Sequence, residues 1–350
     1  MPCRSPGELP LEQGKVTAAS WKLLTSRLTC AATVSRIRRV SVRSWISPLD
    51  ACMSMHFQVA VFLVFCSFFA TPRLAYGTDY YVSNVSGDDT RSGTSEKPDG
   101  RQGPFRTIAR ALRETVKGDR VILENTGMPY RESITIQAAK NSGRLDEPFQ
   151  LIGNGAVLDG SAPVPEDKWE HVVGDVFRFH PEKTAYQQLF QGDRPLTRKR
   201  SESKEAFPKL APLEWCLFDR HIYFRVEKDQ VPAVYELSYA ALPVGITLYE
   251  ARNVIIRDLV VQGYQLDGIN ANDSVFRAGF AKVTCRGNGR SGISIGGASR
   301  VKLTECQVGN NGDAQLRIEG KCVVEIVDCE LMDDGVVPPL KKLGGRVLGK

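Results

Sequence analysis

Apolar residues recur at matching offsets in the C-terminal third of the chain. Gly245-Ile246, Gly268-Ile269, Gly292-Ile293 and Gln315-Leu316 open successive units 23–24 residues apart. Ten or eleven residues later each unit carries an apolar triplet spaced +3 then +2: Ile256/Leu259/Val261, Phe280/Val283/Cys285, Leu303/Cys306/Val308 and Ile326/Cys329/Leu331. Three residues beyond each triplet stand Tyr264, Asn288, Asn311 and Asp334. A unit this short cannot bury its own apolar face and must stack on its neighbours. The alternation Ile246/Leu248, Ile293/Ile295 and Leu316/Ile318 predicts short strands, with Gly, Asn and Asp at the corners between them. Helical periodicity is missing, and so is the Leu-x-x-Leu-x-Leu spacing of leucine-rich repeats. The pattern predicts an all-β solenoid of stacked coils over residues 245–335, with Asn288, Asn311 and Asp334 bonded in a column at one corner.

Upstream, the segment 104–116 reads as an amphipathic helix with Ile108, Leu112 and Val116 on one face, closing the open end of the stack. Strands are expected at 120–124, 133–136 and 149–152. Residues 161–243 break the rhythm with Trp169, Trp215 and several prolines, and read as an inserted β-rich segment with strands near 187–189 and 221–226. Its basic run, Arg194 to Arg200, reads as a solvated loop, with contact to an anionic sugar chain as the alternative. After Gly335 the sequence reads as an irregular tail, 336–350, without a further coil; either this tail or a partner covers the last coil, or the protein is a shortened relative of longer ones.

The mostly apolar run of 14 residues from Phe57 is too short to span a bilayer and suits a signal-peptide core. Ala75-Tyr76-Gly77 supplies small residues for cleavage before Thr78. The expected organisation is a disordered or mis-assigned lead at 1–52, a signal peptide at 53–77 with the true start at Met53 or Met55, and the solenoid at 78–335. The net charge of +6 resides ahead of residue 78, +5 in the lead and +1 from Arg73, because residues 78–350 hold 37 basic and 37 acidic residues. A neutral folded part speaks against a nucleic-acid partner. The five cysteines beyond the signal segment, Cys216, Cys285, Cys306, Cys322 and Cys329, lack zinc spacing and read as buried free thiols.

Tyr80-Tyr-Val-Ser-Asn-Val-Ser-Gly-Asp-Asp89, Pro104-Phe-Arg-Thr-Ile-Ala109, Gly118-Asp-Arg-Val121, Tyr130-Arg-Glu-Ser-Ile134 and Ala156-Val-Leu-Asp-Gly160 occur in this order ahead of the repeats. Together they resemble the secreted right-handed parallel β-helix proteins of the pectate-lyase-like superfamily, over roughly residues 78–335. The resemblance implies a right-handed coil, a secreted, periplasmic or cell-surface location and a polysaccharide partner in a groove along the stack. It carries no complete catalytic signature, because the architecture hosts lyases, hydrolases and non-catalytic proteins.

Aligning the units puts outward residues in columns about 4.8 Å apart. One column is Thr247, Asn270, Ser294, Arg317; the next is Tyr249, Asn272, Gly296, Glu319; Asp267, Arg290 and Asp313 stand just before these strands. A lyase acting by β-elimination on an acidic glycan needs a group to offset the uronate carboxylate and a base for the C5 proton. Asp267 and Asp313 are the candidates to hold calcium, Arg290 and Arg317 the catalytic candidates, and Asn270, Asn272 and Glu319 the substrate contacts. A hydrolase needs two carboxylates, and Glu319 has no evident partner in its column. The alternatives are turn residues and surface ion pairs on a non-catalytic glycan-binding or structural β-helix. A second charged column, Asp258, Lys282, Glu305 and Asp328, reads as structural.

Overall fold

The computed structural model describes residues 77–201 and 206–349. The lead expected at 1–52 and the signal segment at 53–77, apart from Gly77, lie outside the described residues. Among the described residues no helix is long and apolar enough to cross a membrane.

Fourteen strands form one curled sheet, and the pairings between successive coils are all parallel. They are β1 (Asp79–Val82), β2 (Arg120–Leu123), β3 (Ile134–Gln137), β4 (Phe149–Asp159), β5 (Ile246–Tyr249), β6 (Arg252–Gln262) and β7 (Asp267–Ala271). The rest are β8 (Phe276–Arg286), β9 (Ser291–Ile295), β10 (Arg300–Thr304), β11 (Gln307–Gly309), β12 (Ala314–Val327), β13 (Glu330–Leu331) and β14 (Leu340–Leu348). Parallel pairing between strands one unit apart requires the chain to wind, and the result is a right-handed parallel β-helix.

The inner column runs through the whole stack. Tyr80 pairs with Val121, Val121 with Leu151, Leu151 with Ile256, Ile256 with Phe280, Phe280 with Leu303 and Leu303 with Ile326. Phe280 and Leu303 are wholly buried. Each such side chain contributes roughly 1.5–3 kcal/mol of burial, which no single coil supplies alone.

The +3 step inside each triplet has a backbone cause. Asp258, Lys282, Glu305 and Asp328 sit at φ of 54°, 53°, 51° and 51°, and Asn154 on the preceding coil sits at 51°. One left-handed residue turns the strand sharply, so the residue two before it and the residue just after it both face inward, as Ile256 and Leu259 do about Asp258. The charged column is therefore a corner set by conformation, and the 3.8 Å Lys282–Glu305 ion pair is secondary to it. At the next corner Asn288 donates through its backbone N–H and its Nδ2 to Asn311 Oδ1 (2.9 and 3.0 Å). The column does not continue to Asp334. Asn311 Nδ2 instead donates to Gln315 Oε1, while Asp334 is exposed and accepts from the backbone of Val336 and Val337.

Helix α1 (Ile108–Glu114) buries Ile108, Ala111 and Leu112 against the first coil. Thr107 caps it, and Glu132 accepts from the N–H groups of Ile108 and Ala109 at 2.9 Å each. The helix is shorter than its apolar pattern suggests: Thr115 has ψ of 146°, so Val116 lies beyond the end and is exposed.

Residues 161–240 form two four-stranded antiparallel sheets with their own core around Trp215, Phe179 and Phe224. The first expected strand is displaced, to Leu189–Gln191. The basic run is not wholly solvated. Arg198 lies 5.2 Å over the Trp215 ring, and burial pushes its guanidinium pKa down.

The tail requires a larger correction. Residues 340–348 are strand β14, paired in parallel with β12 from Leu316↔Leu340 to Glu325↔Leu348. A register shift between Gly320 and Val323 interrupts the pairing, and Gly344-Gly345 break the apolar period, which hides the strand from its spacing. The five cysteines from Cys216 to Cys329 are free. Burial raises the thiol pKa values of Cys216, Cys285, Cys306 and Cys322, which stay protonated as small apolar groups.

Candidate functional site: an outward polar strip

The outward column expected from the repeats is real and longer than four residues. Thr135, Thr247, Asn270, Ser294, Arg317 and Lys341 lie side by side on β3, β5, β7, β9, β12 and β14. Six strands span about 24 Å between outer axes. Gln137 pairs with Tyr249, and Glu319 with Leu343. A Cβ on Gly296 would lie 2.2 Å from Asn272 Oδ1 and 3.1 Å from Glu319 Cγ, so these three share the centre of the second column. Tyr249 is half exposed.

Three acids and three bases run along this face, and each is paired. Asp267 is wholly buried. Its Oδ1 accepts from Arg290 Nε (3.0 Å) and Ser291 Oγ (2.6 Å), and its Oδ2 from Arg290 Nη2 (2.5 Å) and Asn270 Nδ2 (2.9 Å). The hydrogen bond from Asp267 raises the Arg290 pKa above its ordinary value. Arg317 donates through Nη2 to Glu319 Oε2 (3.0 Å), and its Nη1 lies 3.9 Å from Asp313 Oδ2. Lys341 Nζ donates to the same Asp313 oxygen at 2.8 Å.

These contacts change several expected roles. Arg290 cannot serve as a base, because it is a half-buried guanidinium held protonated by Asp267. Asp267 cannot serve calcium, because both oxygens already accept two hydrogen bonds. Asp313 is separated from it by a whole strand, about 10 Å at ladder spacing. Among the described residues no group of three or more His, Cys, Asp or Glu is placed to hold a metal. Calcium needs six to eight oxygens, so the pair Asp267 and Asp313 does not fit it. Asn270 is committed at both ends, to Asp267 and, through Oδ1, to the N–H of Asn272 (3.2 Å).

The centre of the strip is different. Asn272 Oδ1, Ser294 Oγ and Arg317 Nε are buried without a hydrogen-bond partner. They stand on three successive coils, Asn272 just past the end of β7, Ser294 on β9 and Arg317 on β12. Buried orphan polar atoms each cost about 1–3 kcal/mol, so this is the least satisfied part of the strip.

Sequence reasoning missed two contributors. Lys341 was hidden by the apparently irregular tail. The insert also reaches the strip's edge: a Cβ on Gly289 would lie 1.6 Å from the Tyr186 carbonyl oxygen, and Arg200 Nη2 donates to Gly312 O at 2.7 Å. The exposed Tyr186 ring is therefore brought beside the corner that carries Arg290. No sequence signal predicts this docking, because it depends on how an 80-residue excursion folds back.

The fold and strip define a right-handed β-helix with a lateral polar face. Residues 240–337 match the family described as "right handed beta helix region". No curated protein matches the sequence. Among solved structures, XylC in complex with xylose aligns over 71% of this chain and 58% of its own, with 14% identity and a TM-score of 0.48. A lacto-N-biosidase from Eubacterium ramulus aligns over 72% and 44%, with 12% identity and a TM-score of 0.37. Pectate lyase Pel9A aligns over 78% and 58%, with 12% identity and a TM-score of 0.36. The chain thus spans about half the length of the solved structures it matches. At this identity none of their activities transfers to it.

Proposed function

We propose that the strip is a polysaccharide-binding groove on an exported protein, with the sugar chain lying along the coil axis. The repeat of the coils is close to the length of one pyranose unit, so successive strands offer similar contacts to successive sugars. The observation that carries the reading is the set of unpartnered polar atoms, Ser294 Oγ and Arg317 Nε within the six-strand column and Asn272 Oδ1 in the column beside it. Tyr249 and Tyr186 add exposed aromatic faces on either side.

Binding accounts for the geometry better than β-elimination does. A lyase needs a base that can lose its proton and a cation left over for the uronate carboxylate. Here Arg290 is held charged by Asp267, Arg317 bridges Glu319 and Asp313, and Lys341 faces Asp313.

The test is retention of the protein on a panel of immobilised acidic and neutral polysaccharides, with absorbance near 235 nm followed in parallel. Saturable retention without new absorbance is expected. Retention by no polymer contradicts the groove, and a rise near 235 nm reinstates β-elimination.

A further inference from the structure

The insert forms a second concavity on another side of the coil. Its hairpin Leu189–Gln191/Arg194–Pro195, turned at Gly192 (φ 55°), leans over the outward column Asp159, Gln262, Arg286 and Gly309. The Phe190 ring approaches Gly287 so closely that a Cβ there would lie 3.0 Å from it. The cleft between them holds about 170 Å³ and is lined by Phe190, Asp193, Arg194, Gln262, Arg286 and Asn310 among others. That is below the ~300 Å³ lower end of drug-sized sites, so it suits one sugar ring and not a chain.

The charges here are not self-paired as they are on the strip. Asp159 accepts from Ser161 N–H (2.8 Å) and Gln262 Nε2 (3.4 Å), with Arg131 at 3.9 Å. Gln262 Oε1 in turn accepts from Arg286 Nε at 2.9 Å. This relay fixes the Arg286 guanidinium by one edge and leaves both terminal nitrogens unpartnered among the described residues. Arg194 has no side-chain hydrogen bond or ion pair among them. Against these two free cations stands one free carboxylate, Asp193, on the hairpin tip.

We propose that this cleft binds a single carboxylated sugar residue, a hexuronate. Its carboxylate meets the free fork of Arg286, pre-oriented by Gln262, and the side chain of Arg194. Asn310 and Asp193 take hydroxyls, and the largely buried Phe190 closes the floor of the cleft. This site is separate from the strip and stands or falls independently of it.

The test is titration of the full chain with galacturonate, glucuronate and glucose, followed by saturation-transfer NMR and calorimetry. Arg286→Gln, Arg194→Gln, the double variant and the strip variant Gly296→Val are compared, with melting curves reporting the fold. The wild type is expected to bind a hexuronate and not glucose. Each arginine variant should weaken binding at least tenfold at unchanged melting temperature, and Gly296→Val should leave it intact. No hexuronate binding, equal binding of glucose, undiminished binding by the double variant, or loss confined to Gly296→Val would each overturn the proposal. Polymer retention by the arginine variants separates the two sites, since loss of the cleft leaves the groove in place.

Discussion

Arg290 reaches from one coil to grip Asp267 on the coil before it with two nitrogens, at 3.0 and 2.5 Å, and the carboxylate it grips is wholly buried. The pair ties β7 to the segment entering β9 at the corner where the insert docks. Its contacts hold that edge of the strip in place. Neither member is free to do chemistry.

Asp267→Asn should therefore act on stability. It leaves a half-buried guanidinium without its counter-charge, and Ser291 and Asn270 facing a group that also donates. A loss of about 3 kcal/mol is expected in urea unfolding. A loss below about 1 kcal/mol would mean the pair is dispensable.

Glu132 supplies a pH dependence. Burial raises its carboxyl above the ordinary 4.5, although the N–H groups of Ala109 and Ile108 work in the opposite direction. The folded state then holds this proton more tightly than the unfolded one. The group's contribution favours folding at low pH and is lost as pH rises from the ordinary value through the raised one. The unfolding free energy of the wild type, taken relative to Glu132→Gln, should fall across that window. A difference that stays flat or grows with pH contradicts the assignment.

The left-handed corners predict an unusual tolerance. Replacing Lys282 by Gly should change stability by less than about 1 kcal/mol, because relief of left-handed strain offsets the added freedom of the unfolded chain. Lys282→Val should cost about 1–2 kcal/mol, since a branched side chain resists φ of 53°. Equal effects of the two changes, read from chemical denaturation, would place the cause of the corner elsewhere.

Depth in the stack sets the cost of core truncation. Phe280→Ala, mid-stack and wholly buried, should cost about 3–5 kcal/mol. Ile326→Ala, on a partly buried outer coil, should cost no more than about 2 kcal/mol. The reverse order would be incompatible with one continuous column.

What was legible in the sequence follows from these residues. Ile256, Phe280, Leu303 and Ile326 were readable as a column because an apolar side chain must meet its neighbour one coil away, which fixes the offset. The outward columns followed from the same register. Lys341 escaped because β14 keeps its pairing through a register shift and two glycines while losing the apolar alternation. Asp334 was misplaced because Gln315 Oε1 already takes both donors of Asn311, and the carboxylate turns instead to the N–H groups of Val336 and Val337. The pairing of Asp267 with Arg290 was invisible because spacing places two charges near each other without showing whether they face each other or a ligand. Residues 161–240 were readable as an interruption, but not as the wall of a cleft.

The most direct test of the groove compares polymer retention by the wild type, Gly296→Val and a control on another face, Lys282→Ala with Glu305→Ala. A side chain at 296 displaces Asn272 from the centre of the strip while leaving the inner column untouched. A loss of tenfold or more for Gly296→Val, with the control within twofold of wild type, is the expected result. Retention unaffected by Gly296→Val, or lost in the control, would show that the sugar chain lies elsewhere on the molecule.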